Sequence, residues 1–163
     1  MSAVDARSPG LPVLSRDLWP RIASSVVLIA VAALAIWAGG IFAALVVAGV
    51  AGAVHAEWSA VTEGGARTAL PFTAAVVLAM IVFGLGFPGF ALAIAAGALA
   101  AGGGSGPRPW RAVGVVYASA LGLSLLALRA APEHGLAAVV IVVGLVAATD
   151  IGAYVAGRAI GGP

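Results

Sequence analysis

The sequence predicts an all-α protein, a polytopic transmembrane helix bundle of about six spans with its N-terminus in the cytoplasm. Two observations carry that prediction. Of the 163 residues, 63% are hydrophobic and only 9% charged, against roughly half and a quarter in ordinary soluble domains. These apolar residues also fall into six runs separated by short stretches that hold most of the Gly, Pro and Arg.

Residues 1–20, with Pro9, Gly10, Pro12 and mixed charges, read as a polar lead on the cytoplasmic side, and residues 21–163 as the transmembrane domain. The six runs are Ile22–Ala38, Ile41–Ala56, Leu70–Phe87, Gly89–Ala101, Ala112–Leu128 and Leu136–Ala156. A spanning helix needs about 20 residues, with a range of about 17–25. The first, third, fifth and sixth runs satisfy this; the second does so if its helix continues past His55, and the fourth is short. Arg16 and Arg21 ahead of the first run resemble a signal peptide. Five further apolar runs favour a retained first span instead.

Orientation follows from the arginines, because cytoplasmic loops carry the excess of positive charge. All eight basic residues are arginine. With six spans, Arg7, Arg16, Arg21, Arg67, Arg108, Arg111 and Arg158 lie inside and Arg129 alone outside. If the fourth run failed to cross, the bias would fall to five against three. Trp19, Trp37, Trp58 and Trp110 stand at or beside span ends, where an indole can bury its ring and hydrate its N–H. The run AGGGSGPRPW, Ala101–Trp110, reads as a turn that stops a helix.

Cysteine is absent, which excludes disulfides, thiolate metal sites and thiol nucleophiles. The arginines are scattered, not gathered into a patch, so nucleic acid is not an expected partner. GLGFPG, Gly84–Gly89, matches a dinucleotide-binding spacing but follows a membrane-length run and lacks the later ribose-binding acid. It reads as a turn between spans. GGGSG, Gly102–Gly106, has no Lys-Ser/Thr pair after it and is no phosphate loop.

Asp150 stands apart. If the sixth helix starts near Leu136, a rise of about 1.5 Å per residue puts Asp150 about 21 Å in, roughly 9 Å short of the inner edge of a core about 30 Å thick. An ionised carboxylate there costs at least about 2.5–3.5 kcal/mol unless it meets a partner, a metal or a wet cavity. The nearest arginine on the same helix, Arg158, is about 12 Å further along the axis. Asp150, Tyr154 and Arg158 follow one another at intervals of four and share a helix face. Gly152, Ala153, Ala156, Gly157 and Gly161 surround them with small side chains, so a helix or a phosphate can come close to the backbone. Glu57 and His55 are expected at the cytoplasmic end of the second span, and His134 at the opposite face.

The segment ATDIGAYVAGRAIGG, Ala148–Gly162, resembles the D-x-x-A-Y-x-x-G-R segment of the phosphatidate cytidylyltransferases, also called CDP-diacylglycerol synthases. WRAVGVVYASALGLSLLALR, Trp110–Arg129, is similar to the span upstream of it in that family, and LWPRIASSVVL, Leu18–Leu28, to the family's entry into the membrane. The resemblance implies a multi-pass enzyme of the bacterial inner membrane that condenses CTP with phosphatidate, giving CDP-diacylglycerol and diphosphate with Mg²⁺. It implies that Asp150 is the catalytic acid and a metal ligand, and that Tyr154, Gly157 and Arg158 bind substrate.

Members of that family continue beyond the equivalent of Gly161–Pro163 into a Ser-, Lys- and Thr-rich segment, further spans and a C-terminal signature. The chain is therefore expected to be the N-terminal portion of such an enzyme, inactive alone and completed by a C-terminal half or a homodimer. Two other readings are open on the residues alone. One is a small transporter or proton-relay subunit that cycles the protonation of Asp150, although the first three spans carry no counterpart of that acid. The other is a scaffold without chemistry.

Overall fold

A computed structural model describes residues 15–63, 66–104 and 109–161 of the chain. Every regular element in it is helical: α1 (Ser15–Ala38), α2 (Gly40–Glu63), α3 (Ala66–Gly84), α4 (Pro88–Gly104), α5 (Pro109–Arg129) and α6 (Gly135–Ile160). Each apolar run becomes one helix, because without water a backbone can satisfy its N–H and C=O groups only along its own axis. Length and composition alone make α2, α5 and α6 long enough to cross a membrane, and α1, α3 and α4 contribute shorter apolar helices. α4, with 17 residues, is about 25 Å long.

The turns are set by residues with special backbones. Gly39 and Gly40 have φ of 70° and 51°, so the chain reverses between α1 and α2 in a left-handed conformation that other residues resist. The Gly39 N–H closes α1 by donating to the Ala35 carbonyl at 2.9 Å. Gly86, at φ 93°, sits between α3 and α4, and GLGFPG is the turn its composition suggested. Pro88 opens α4 and Pro109 opens α5, the helical position at which a missing N–H costs nothing.

Helix boundaries depart from the apolar runs, and in α1, α2 and α4 the departure bears on the reading of the sequence. α1 begins at Ser15, inside the expected polar lead, while residues 1–14 lie outside the described residues. α2 continues past His55 to Glu63, the extension its span length required. α4 carries on through Gly102, Gly103 and Gly104, so the glycine run does not stop the helix where its composition suggested. Room accounts for part of this: a Cβ at Gly102 would meet only ordinary contacts from Phe72 and Arg111, at 3.5 and 3.6 Å.

The core lies among α2, α3, α4 and α5 and is built from small side chains. Ala44, Ala48, Ala51, Ala79, Ala91 and Ala118 are buried around Met80, Val76 and Val115, as expected where packing and not water expulsion joins helices. Gly122 is required by close approach, since a Cβ there would stand 2.5 Å from the Met80 sulfur. α6 is peripheral. Only Gly135 and Val139 of its 26 residues are buried, and it touches α5 and α1 through that outer part.

Candidate functional site

Three polar features occupy different depths of this bundle. Here "outer" and "inner" follow the orientation that the arginines imply.

At the outer end, Arg129 terminates α5 and reaches across to α1. Its Nε donates to the Ile36 carbonyl at 2.5 Å and its Nη2 to the Trp37 carbonyl at 2.8 Å. These are two of the last carbonyls of α1, which have no partner within their own helix. A cation there also faces the negative end of the helix dipole. Gly39 makes the approach possible, because a Cβ on it would fall 2.8 Å from Arg129 Nη2.

On α6, Asp150 lies fifteen residues after the first helical residue, Gly135, about 22 Å along the axis. That is the depth the sequence implied. Arg158 Nη1 donates to the Tyr154 hydroxyl at 3.2 Å, so the i, i+4 stripe forms. Among the described residues Asp150 itself makes no hydrogen bond or ion pair. The stripe is open: Tyr154 is 66% exposed, and a Cβ added at Gly152 or Gly157 would meet nothing within 4 Å. Asp150, Tyr154, Gly157 and Arg158 therefore share one accessible face, and no other helix of the described chain closes over it.

At the inner end, α2 and α5 bring together residues that the sequence left apart. The Trp58 Nε1–H donates to the Trp110 carbonyl at 2.8 Å. Its indole stacks on Tyr117 with ring centres 5.9 Å apart, and meets Trp110 at 6.3 Å and 49°. Gly114 makes room for it: a Cβ there would stand 2.5 Å from Trp58 Cδ1. Val54, Glu57, Trp58, Val61, Thr62 and Trp110 line an open groove of about 480 Å³. Both tryptophans were legible as span-end residues, but their convergence was not, since it depends on the crossing of two helices 52 residues apart in sequence.

His55 requires a correction. It was expected at the membrane face beside Glu57, yet it is fully buried, with its Nδ1 2.8 Å from the Thr73 hydroxyl. The Thr73 hydroxyl also lies 3.2 Å from the Ala69 carbonyl, so its one proton serves one of the two contacts, and the His55 tautomer sets which. The helical repeat explains the difference: Glu57 is two positions on and points elsewhere, while His55 faces α3.

The described residues do not fit a resident metal. No group of three or more His, Cys, Asp or Glu side chains among them could hold an ion, and Asp150 offers one carboxylate without a second. His134 pairs only with its neighbour Glu133, at 3.8 Å on the surface.

Helical throughout, apolar across its length and carrying a polar stripe on its last helix, the chain is a multi-helix membrane protein. It matches the sequence model of the cytidylyltransferase family over residues 19–163, and it belongs to that family, the family of the CDP-diacylglycerol synthases. Comparison with curated proteins and with solved structures finds no match. Family membership supports nucleotidyl transfer with CTP as the nucleotide.

Proposed function

We propose that the chain belongs to a phosphatidate cytidylyltransferase of a bacterial cell membrane, and that the Asp150–Arg158 face of α6 is one wall of its active site. In that reaction a phosphate oxygen of phosphatidate attacks the α-phosphorus of CTP. A new phosphoanhydride forms, the α–β anhydride breaks, and diphosphate leaves with the electron pair.

The observation that supports this reading is the open polar stripe. A carboxylate at hydrocarbon depth with no partner in its own bundle needs one from outside it. Arg158 presents a planar fork of donors suited to phosphate oxygens, and its bond to Tyr154 limits the directions in which that fork can point. The bare backbone at Gly157 lets a phosphate approach closely. Asp150 alone would repel two polyanions, so it acts with cationic groups contributed from beyond α6. Because the described residues do not hold Mg²⁺ by themselves, no step is assigned to it here.

The test is CTP-dependent formation of CDP-diacylglycerol by membranes containing the gene product that carries this chain. Asp150→Asn and Arg158→Ala are each expected to lower the rate on the order of 10²-fold, the usual cost of losing one charge-stabilising group. An undiminished rate in Asp150→Asn would remove that residue from the site.

A further inference from the structure

We propose that the inner end of the seam between α2 and α5 binds a membrane phospholipid whose headgroup carries an ammonium group. This site is separate from the α6 stripe, and the inference does not rest on the cytidylyltransferase reading.

Its chemistry comes from three residues. Among the described residues Glu57 is the one charged side chain lining the groove, and it makes no hydrogen bond or ion pair with another of them. Trp58 and Trp110 stand beside it with their rings inclined at 49°, a corner and not a parallel slot. Two indole faces meeting at an angle, with a carboxylate next to them, suit a compact cation, because each face carries the negative end of the ring quadrupole. A flat heterocycle would favour parallel stacking instead. The corner is fixed before any ligand arrives: the Trp58 N–H is held by the Trp110 carbonyl and its ring rests on Tyr117. Arg111, next in sequence to Trp110, lies over the Phe72 ring at 5.0 Å.

Depth and continuity identify the cation as part of a lipid. Glu57 lies seventeen residues after Gly40, about 26 Å from the outer end, just short of the inner edge of a core about 30 Å thick. That is about 4 Å short of the headgroup boundary, within reach of an ammonium group on a flexible headgroup. Towards the outer side the seam carries a row of apolar side chains. Val54, on its wall, follows Val50 and Val46 at intervals of four on the same face of α2. Val46 and Val50 line a second cavity of about 220 Å³, which α6 reaches through Val143. An acyl chain descending from an ammonium headgroup would lie along that row, whereas a soluble amine would leave it uncovered.

The probe is a vesicle of phosphatidylethanolamine and phosphatidylglycerol in equal amounts with matched acyl chains. The full chain is reconstituted, extracted in mild detergent, and its retained lipid counted by native mass spectrometry. About tenfold enrichment of phosphatidylethanolamine is expected, on the scale of a cation–π contact plus an interfacial ion pair. Glu57→Gln should bring retention close to parity, and Trp110→Leu should reduce it with Glu57 still present. Soluble phosphoethanolamine should not displace the lipid. Equal retention by the unmodified chain, or enrichment that persists in Glu57→Gln, would overturn the site. Displacement by soluble phosphoethanolamine would overturn the lipid assignment.

Discussion

His55 and Thr73 form a buried polar contact that joins α2 to α3. Removing the Thr73 hydroxyl takes this partner from the buried His55 Nδ1. Thr73→Val is thus expected to destabilise the bundle by about 1–3 kcal/mol, the penalty for a buried polar group that loses its hydrogen bond, while Thr73→Ser retains most of the stability. Thermal unfolding of the detergent-solubilised chain distinguishes the two. Asp150 was legible because an acid in an apolar run has no innocuous reading, and its depth needed only the helix start and a fixed rise. His55 was not legible. Near a span end, a histidine reads equally as an interfacial group or a buried one, and its partner lies 18 residues away across a turn, beyond any spacing rule.

The six helices were readable from apolar runs, but their ends were not. Hydropathy marks where hydrocarbon stops, whereas a helix stops where its backbone finds a better partner. α2 and α6 therefore carry on to Glu63 and Ile160 through residues that leave the apolar run. The short α4 is the element on which the six-span topology turns. The absence of cysteine makes single-cysteine labelling clean. With a membrane-impermeant maleimide, Gly86→Cys and Glu133→Cys should react from one side of the membrane and Thr62→Cys from the other. Reaction of Glu133→Cys on the same side as Thr62→Cys, with Gly86→Cys still on the other, would show that α4 does not cross. The accessible face of α6 carries its own expectation. A Cβ added at Gly152 or Gly157 meets no atom within 4 Å, so alanine or leucine there should leave the stability within about ±0.5 kcal/mol, as for substitutions away from packed contacts. If that face is an active-site wall, CDP-diacylglycerol synthesis should fall sharply in the same variants.

Across the whole molecule, packing and chemistry are segregated. The alanine-rich interior of α2–α5 holds the bundle together, and the two polar features that face outward lie at its margins, one on α6 and one at the inner end of the α2–α5 seam. The composition forecast a helical bundle and the stripe on its last helix. It could not forecast the seam, because a groove belongs to neither helix that forms it. Arg129 ties the same architecture together at the opposite end. The carbonyls it caps belong to a helix completed 92 residues earlier in the chain. While the protein is being made, the first hairpin must therefore wait in the bilayer with its outward turn unsealed until the fifth helix arrives.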